Sequence, residues 1–84
     1  MQGFYVYALL SNVNGRIYVG MSQDPYKRLI EHNKGKTLST RPYVPWRLFY
    51  KEYCGPSHEA REREKYFKSS AGKRRLRAIL NSLA

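Results

Sequence analysis

Two short aromatic, apolar runs separated by turn-forming residues constrain this chain more than any other feature. Residues 4–10 (Phe-Tyr-Val-Tyr-Ala-Leu-Leu) and 16–20 (Arg-Ile-Tyr-Val-Gly) each have strand length, and 11–15 (Ser-Asn-Val-Asn-Gly) carries the residue types that reverse a chain. A β-hairpin follows. An even-length loop puts Tyr7 and Tyr18 on the same side of such a hairpin. A loop over 12–15 makes them diagonal neighbours, whereas a tight Asn14-Gly15 turn keeps the shared face but moves the phenols further apart. The residues alone leave both registers open.

Downstream punctuation is equally legible. Asp24-Pro25 supplies a helix cap followed by proline at the first helical position, and Gly35 supplies a stop, which predicts a helix over 25–34. Residues 35–45 are polar, with prolines at 42 and 45, and read as an exposed loop. Residues 46–53 are rich in aromatics and suit a third strand. Cys54-Gly-Pro-Ser57 then turns into a helix capped by Ser57 and ending near 69. A last helix is expected from about 73, with Leu76, Ile79, Leu80 and Leu83 on one face. The order ββαβαα implies an α/β fold in which a three-stranded antiparallel sheet is flanked by helices. At 84 residues the chain makes one domain, 1–84.

Charge narrows the partners. Sixteen Lys and Arg against six Asp and Glu leave a net charge of +10, which favours a polyanion, nucleic acid first. Lys34, Lys36 and Arg41 in the loop, with Lys73, Arg74, Arg75 and Arg77 on the last helix, are placed to contact backbone phosphates without reading sequence. The lone Cys54 cannot form an internal disulfide, and no Cys/His set has zinc-site spacing, which fits a reducing cytoplasm. Met1 leads directly into the first strand, and no apolar stretch has membrane-spanning length, so neither a signal segment nor a membrane is expected. Trp46, Phe49 and Cys54 read as core and filler, and His58 as helix surface.

Three further residues carry possible chemistry. Arg28 and His32 lie one turn apart on the first helix, at the margin of an apolar face formed by Tyr26, Leu29 and Ile30. An arginine fork suits a phosphate oxygen, and an imidazole exchanges protons near neutral pH. On the second helix Ala60, Glu64, Phe67 and Ala71 recur at i, i+4, i+7 and i+11, which sets a carboxylate in a core-facing stripe. Either Arg61 or Lys68 neutralises Glu64, or it faces a polar cavity and holds a cation.

Together, Tyr5-Val-Tyr7, Tyr18-Val-Gly20, Arg28 with His32, and Arg63-Glu64-Lys65 resemble the motifs of the GIY-YIG nuclease family over nearly the whole chain, closest to its small stand-alone members. The resemblance makes Tyr7 and Tyr18 the motif tyrosines, with Tyr5 and Gly20 as structural motif positions. It makes Arg28 the catalytic arginine, His32 a position often held by His or Tyr, and Glu64 the ligand of a single magnesium or manganese ion. Tyr5 stands where the first motif opens with glycine, and the asparagine that follows the glutamate in many members has no counterpart before Asn81.

The implied activity is metal-dependent hydrolysis of phosphodiester bonds in DNA, selective for structure over sequence, in a DNA-repair setting. Arg28 would offset phosphoryl charge, the tyrosines would position the attacking water, and His32 would take the final proton, with the general base left open. Lys68 joins the expected nucleic-acid contacts. Two other readings remain: a DNA- or RNA-binding module of the same fold with little or no cutting, and an adaptor whose larger protein partner supplies the substrate. Oligomeric state is not legible.

Overall fold

The computed structural model describes residues 3–83; Met1 and its anticipated lead into the first strand lie outside the described residues. The central strand β1 (Phe4–Ser11) pairs antiparallel with β2 (Ile17–Ser22) on one side and with β3 (Trp46–Gly55) on the other. Side chains alternate along β1, so each face of the sheet meets its own helical layer. Val6 and Ala8 join Val19, Ala60, Phe67 and Leu76 beneath α2 (Ser57–Lys68) and α3 (Ser70–Ser82). Tyr7 and Leu9 join Trp46, Tyr18 and Leu29 beneath α1 (Pro25–Asn33). The anticipated order and antiparallel three-stranded sheet are thus observed.

The hairpin takes the four-residue loop. Ser11 N donates to Arg16 O at 2.9 Å, and Tyr7 lies opposite Gly20 with Leu9 opposite Tyr18, which makes Tyr7 and Tyr18 diagonal neighbours on one face. In α1, Asp24 accepts from Lys27 N at 3.1 Å and Pro25 opens the helix; Gly35, at φ +77, follows its last turn. The face that α1 buries differs from the expected one. Pro25, Leu29 and His32 point inward, while Tyr26 and Ile30 are exposed. His32 was expected at the margin; it is fully buried because it has the polar partners that make burial tolerable.

Three boundaries also move. Residues 35–45 are more than an exposed loop: a 3-10 turn spans Arg41–Tyr43, Thr40 is buried, and the Asn33 side chain bonds both Trp46 N and Trp46 O. Ser57 is the first residue of α2 and does not cap it; Pro56 holds the capping position without a side-chain bond. α3 starts at Ser70, earlier than expected, because extended Ser69 breaks the helical run and accepts from Gly72 N at 3.2 Å. That break removes Ala71 from the stripe and leaves it exposed, while Gly72 takes the buried place. On α3, Leu76 is fully buried, Ile79 and Leu80 are half-buried, and Leu83 is exposed.

Candidate active site

Tyr7 organises the site from the middle of β1. Its ring crosses β2 at Gly20, where a Cβ would sit 2.6 Å from the phenol oxygen and 2.7 Å from Cζ. Only glycine leaves room for that crossing. The phenol is 1% exposed, and its Oη lies 3.1 Å from His32 Nε2. His32 Nδ1 lies 2.9 Å from Thr40 Oγ1, and that hydroxyl in turn donates to Thr37 O at 3.3 Å.

With the Thr40 hydroxyl taken as donor to the Thr37 carbonyl, one assignment of the remaining protons follows. Because the Thr40 proton goes to a carbonyl, Thr40 Oγ1 accepts from His32 Nδ1–H. Nε2 therefore bears the lone pair and accepts from Tyr7. The result is a directed chain from Tyr7 through His32 and Thr40 to the Thr37 carbonyl. Thr40 is held in turn by Trp46 Nε1–H, which donates to its carbonyl at 3.0 Å.

The electrostatics keep both groups neutral. Burial raises the Tyr7 pKa above its usual 10.0; an Arg28 hydrogen bond opposes this, and Tyr18 and Glu64 add to it. Burial, then the Arg28 charge, pushes His32 below its usual 6.5, with Glu31 acting weakly the other way. Tyr18 stacks edge-on to His32, centroids 4.9 Å apart, and its ring lies 6.4 Å from that of Tyr7. Glu31 Oε1 accepts from Arg28 Nη1 at 2.5 Å and orients the guanidinium, which in turn holds the Glu31 carboxyl below its usual range.

From α2 the Glu64 charge acts on the Tyr7 phenol, the weakest of the influences on it. The Glu64 side chain is 21% exposed, and Lys68 Nζ stands 3.2 Å from Oε2. Of the two neutralising partners anticipated for Glu64, the observed one is Lys68. Arg63 points elsewhere, making a two-point bond to Glu52 on β3 at 2.6 and 3.0 Å. That contact holds the Glu52 carboxyl down, while burial and the bond to Glu52 push Tyr50 up to about 12.

Among the described residues no three His, Cys, Asp or Glu side chains converge as a metal cluster. The donor set still fits a single hard cation. Glu64 offers one partly exposed carboxylate already balanced by one positive charge, and magnesium is commonly held by one or two carboxylates with water in its remaining positions.

The loop cations Lys34, Lys36 and Arg41 are exposed, with Arg41 Nε spent on Gly35 O at 2.9 Å. Lys73, Arg74, Arg75 and Arg77 are exposed on α3. The loop belongs to the α1 layer and α3 to the other, so the two basic sets flank opposite faces of the sheet. Asn81 is exposed near the end of α3, which packs chiefly on α2 and β3. Sequence reasoning missed Thr40 and Glu31. Glu31, three residues after Arg28 on one helix, was findable by spacing.

A family model described as the GIY-YIG catalytic domain matches residues 3–77. The chain belongs to the GIY-YIG family. That membership places it among nuclease-type domains, whose members are generally dependent on divalent metal. A UPF0213 protein of Bacillus licheniformis is 39% identical over 77 residues, covering 90% of this chain and 76% of its own. One from Staphylococcus saprophyticus is 31% identical over 80 residues, covering 94% and 96%. No solved structure matches the chain significantly. In this GIY-YIG domain the Tyr5 ring packs edge-to-face on Tyr53 at 5.2 Å. No helix among the described residues is long and apolar enough to cross a membrane.

Proposed function

We propose that this protein is a metal-dependent endonuclease that hydrolyses phosphodiester bonds in DNA and selects its substrate by structure. The observation that carries the reading is the buried contact of Tyr7 Oη with His32 Nε2 where the Tyr7 ring crosses Gly20, with the charges of Arg28 and Glu64 both acting on that phenol. Glu64 is the residue that would hold a divalent cation, with Lys68 swinging away from it. When bound, such an ion stabilises charge on a departing oxygen.

The chain's own groups supply the rest. Tyr7 donates to His32 Nε2, so its oxygen keeps a lone pair that can accept from an attacking water. As the water attacks, its proton passes to Tyr7 Oη while the Tyr7 proton passes to Nε2, and the buried imidazole becomes imidazolium. Tyr7 is thus a relay and His32 the terminal acceptor, which gives a raised phenol pKa a useful role: the phenol stays protonated and able to hand its proton on. Arg28, held by Glu31, offsets charge on the phosphoryl oxygens. Lys34, Lys36, Arg41, Lys68 and the α3 cations add affinity for backbone phosphates.

The test is to incubate purified protein with flapped, forked, single-stranded and plain duplex DNA, with magnesium and with chelator. Cleavage of branched substrates that requires the metal is expected. Cleavage that survives chelation contradicts the metal role. Salt-sensitive binding without any cleavage replaces the nuclease by the DNA- or RNA-binding module, for which the Lys68–Glu64 pair, occupying the carboxylate, is the supporting observation.

A further inference from the structure

A second surface, also on the α1 side of the sheet, is both aromatic and cationic. Tyr5 on β1 and Tyr53 on β3 are cross-strand partners with ring centroids 5.2 Å apart. Lys51, cross-strand from Tyr7, places Nζ 5.1 Å from the Tyr5 centroid and 5.2 Å from that of Tyr26 on α1. The cluster is ordered by these contacts yet remains wet: Tyr53 is 60% exposed and Tyr26 57%. The backbone at Gly3 braces the Tyr53 phenol, since a Cβ there would lie 2.2 Å from its oxygen. Neither apolar core contains Tyr5, Tyr26 or Tyr53, so packing does not account for them.

We propose that Tyr5, Tyr26, Tyr53 and Lys51 form a stacking platform for unpaired bases in a single-stranded segment of the substrate. This rests on the nuclease reading and narrows it. In a duplex the faces of the bases are covered by their neighbours, so exposed rings engage only bases that are unpaired, and they do so with little regard to sequence. Lys51 provides the cation that such a strand's phosphates need, on a chain whose net charge is +10.

A cleft of about 450 Å³ walled by Phe4, Tyr53, Gly55 and Pro56 opens beside the Tyr53 ring and has the size of a small-ligand site, room for a splayed base. Tyr5 lies two residues from Tyr7 on the same face of β1, about 7 Å along the strand. A strand seated on the platform therefore lies next to the candidate active site, and the preferred substrate is a duplex with a single-stranded tail, flap or fork.

The experiment measures binding by fluorescence anisotropy in chelator, where cleavage is suppressed, using a labelled oligothymidine strand, a blunt duplex and the same duplex with a thymidine tail. Wild-type protein is expected to bind the tailed duplex more tightly than the blunt one. Tyr53→Ala and Tyr26→Ala should each weaken strand and tail binding about tenfold and leave blunt-duplex binding unchanged. Tyr53→Phe, which keeps the ring, should bind like wild type. Circular dichroism confirms that these exposed-site variants are folded.

Undiminished strand binding by both alanine variants overturns the proposal, and so does an equal loss for blunt duplex. Either result, with tight wild-type binding, leaves the nuclease reading standing and points the patch toward a protein partner. Absence of any wild-type binding to nucleic acid overturns both.

Discussion

At the scale of single residues, the site depends on a missing atom and a fixed proton. Gly20 has no Cβ, and so the Tyr7 phenol can cross β2. Gly20→Ala should displace the buried phenol, with cleavage reduced about 100-fold and about 1–3 kcal/mol of stability lost by overpacking. Parallel melting and single-turnover measurements check this; a variant as active as wild type would mean that the crossing is irrelevant.

His32 gives a pH prediction with a definite sign. Its folded pKa is depressed below the unfolded 6.5, so between the two values the unfolded chain binds more protons. The stability it contributes is present above pH 6.5 and is lost as pH falls through the depressed value. Protonated His32 also cannot accept from Tyr7. Both thermal stability and cleavage should therefore fall on the acid side, with the rate inflection below pH 6.5, as a pH–rate profile would reveal. An inflection above 6.5 would contradict the assignment. Thr40, which fixes the tautomer, was invisible in the sequence because nothing periodic marks a loop residue that folds back onto a helix eight positions earlier.

At the scale of elements, local chemistry was legible and competition between signals was not. Asp24-Pro25 and Gly35 marked α1 correctly because each acts on its own turn of backbone. Ser57 looked like a cap, but Pro56 took that position; the expected end of α2 near 69 held, whereas α3 opens at once at Ser70 because Ser69 caps it, three residues before the expected start. The even-length hairpin loop fixed the shared face of Tyr7 and Tyr18 in advance, while the choice between registers needed the Ser11–Arg16 bond. On α1, His32 displaced Ile30 from the buried face because its two ring nitrogens find partners, a condition that depends on distant residues.

The α2–α3 corner carries its own prediction. A Cβ at Gly72 would lie 2.1 Å from Tyr66 O and 2.4 Å from Phe67 Cα, both backbone atoms that cannot swing aside. Gly72→Ala should cost about 1–3 kcal/mol of stability by overpacking, read as a lowered melting temperature. An unchanged melt would mean that the corner relaxes freely.

At the scale of the whole molecule, charge and layering set how nucleic acid is held. The loop cations and the α3 cations flank opposite faces of the sheet, so one duplex segment reaches both only by wrapping an edge. If α3 is part of the track, replacing Lys73, Arg74, Arg75 and Arg77 with glutamine should flatten the plot of log affinity against log salt by about 3 to 4 in slope. An unchanged slope would assign binding to the α1 side alone.

We hold that Glu64 makes this fold a phosphodiesterase, and the deciding measurement is single-turnover cleavage of a flapped DNA by wild type and Glu64→Ala across a magnesium titration. The expected result is metal-dependent cleavage by wild type, reduced at least about 100-fold in Glu64→Ala with DNA affinity in chelator retained. Cleavage by Glu64→Ala at the wild-type rate would contradict the claim.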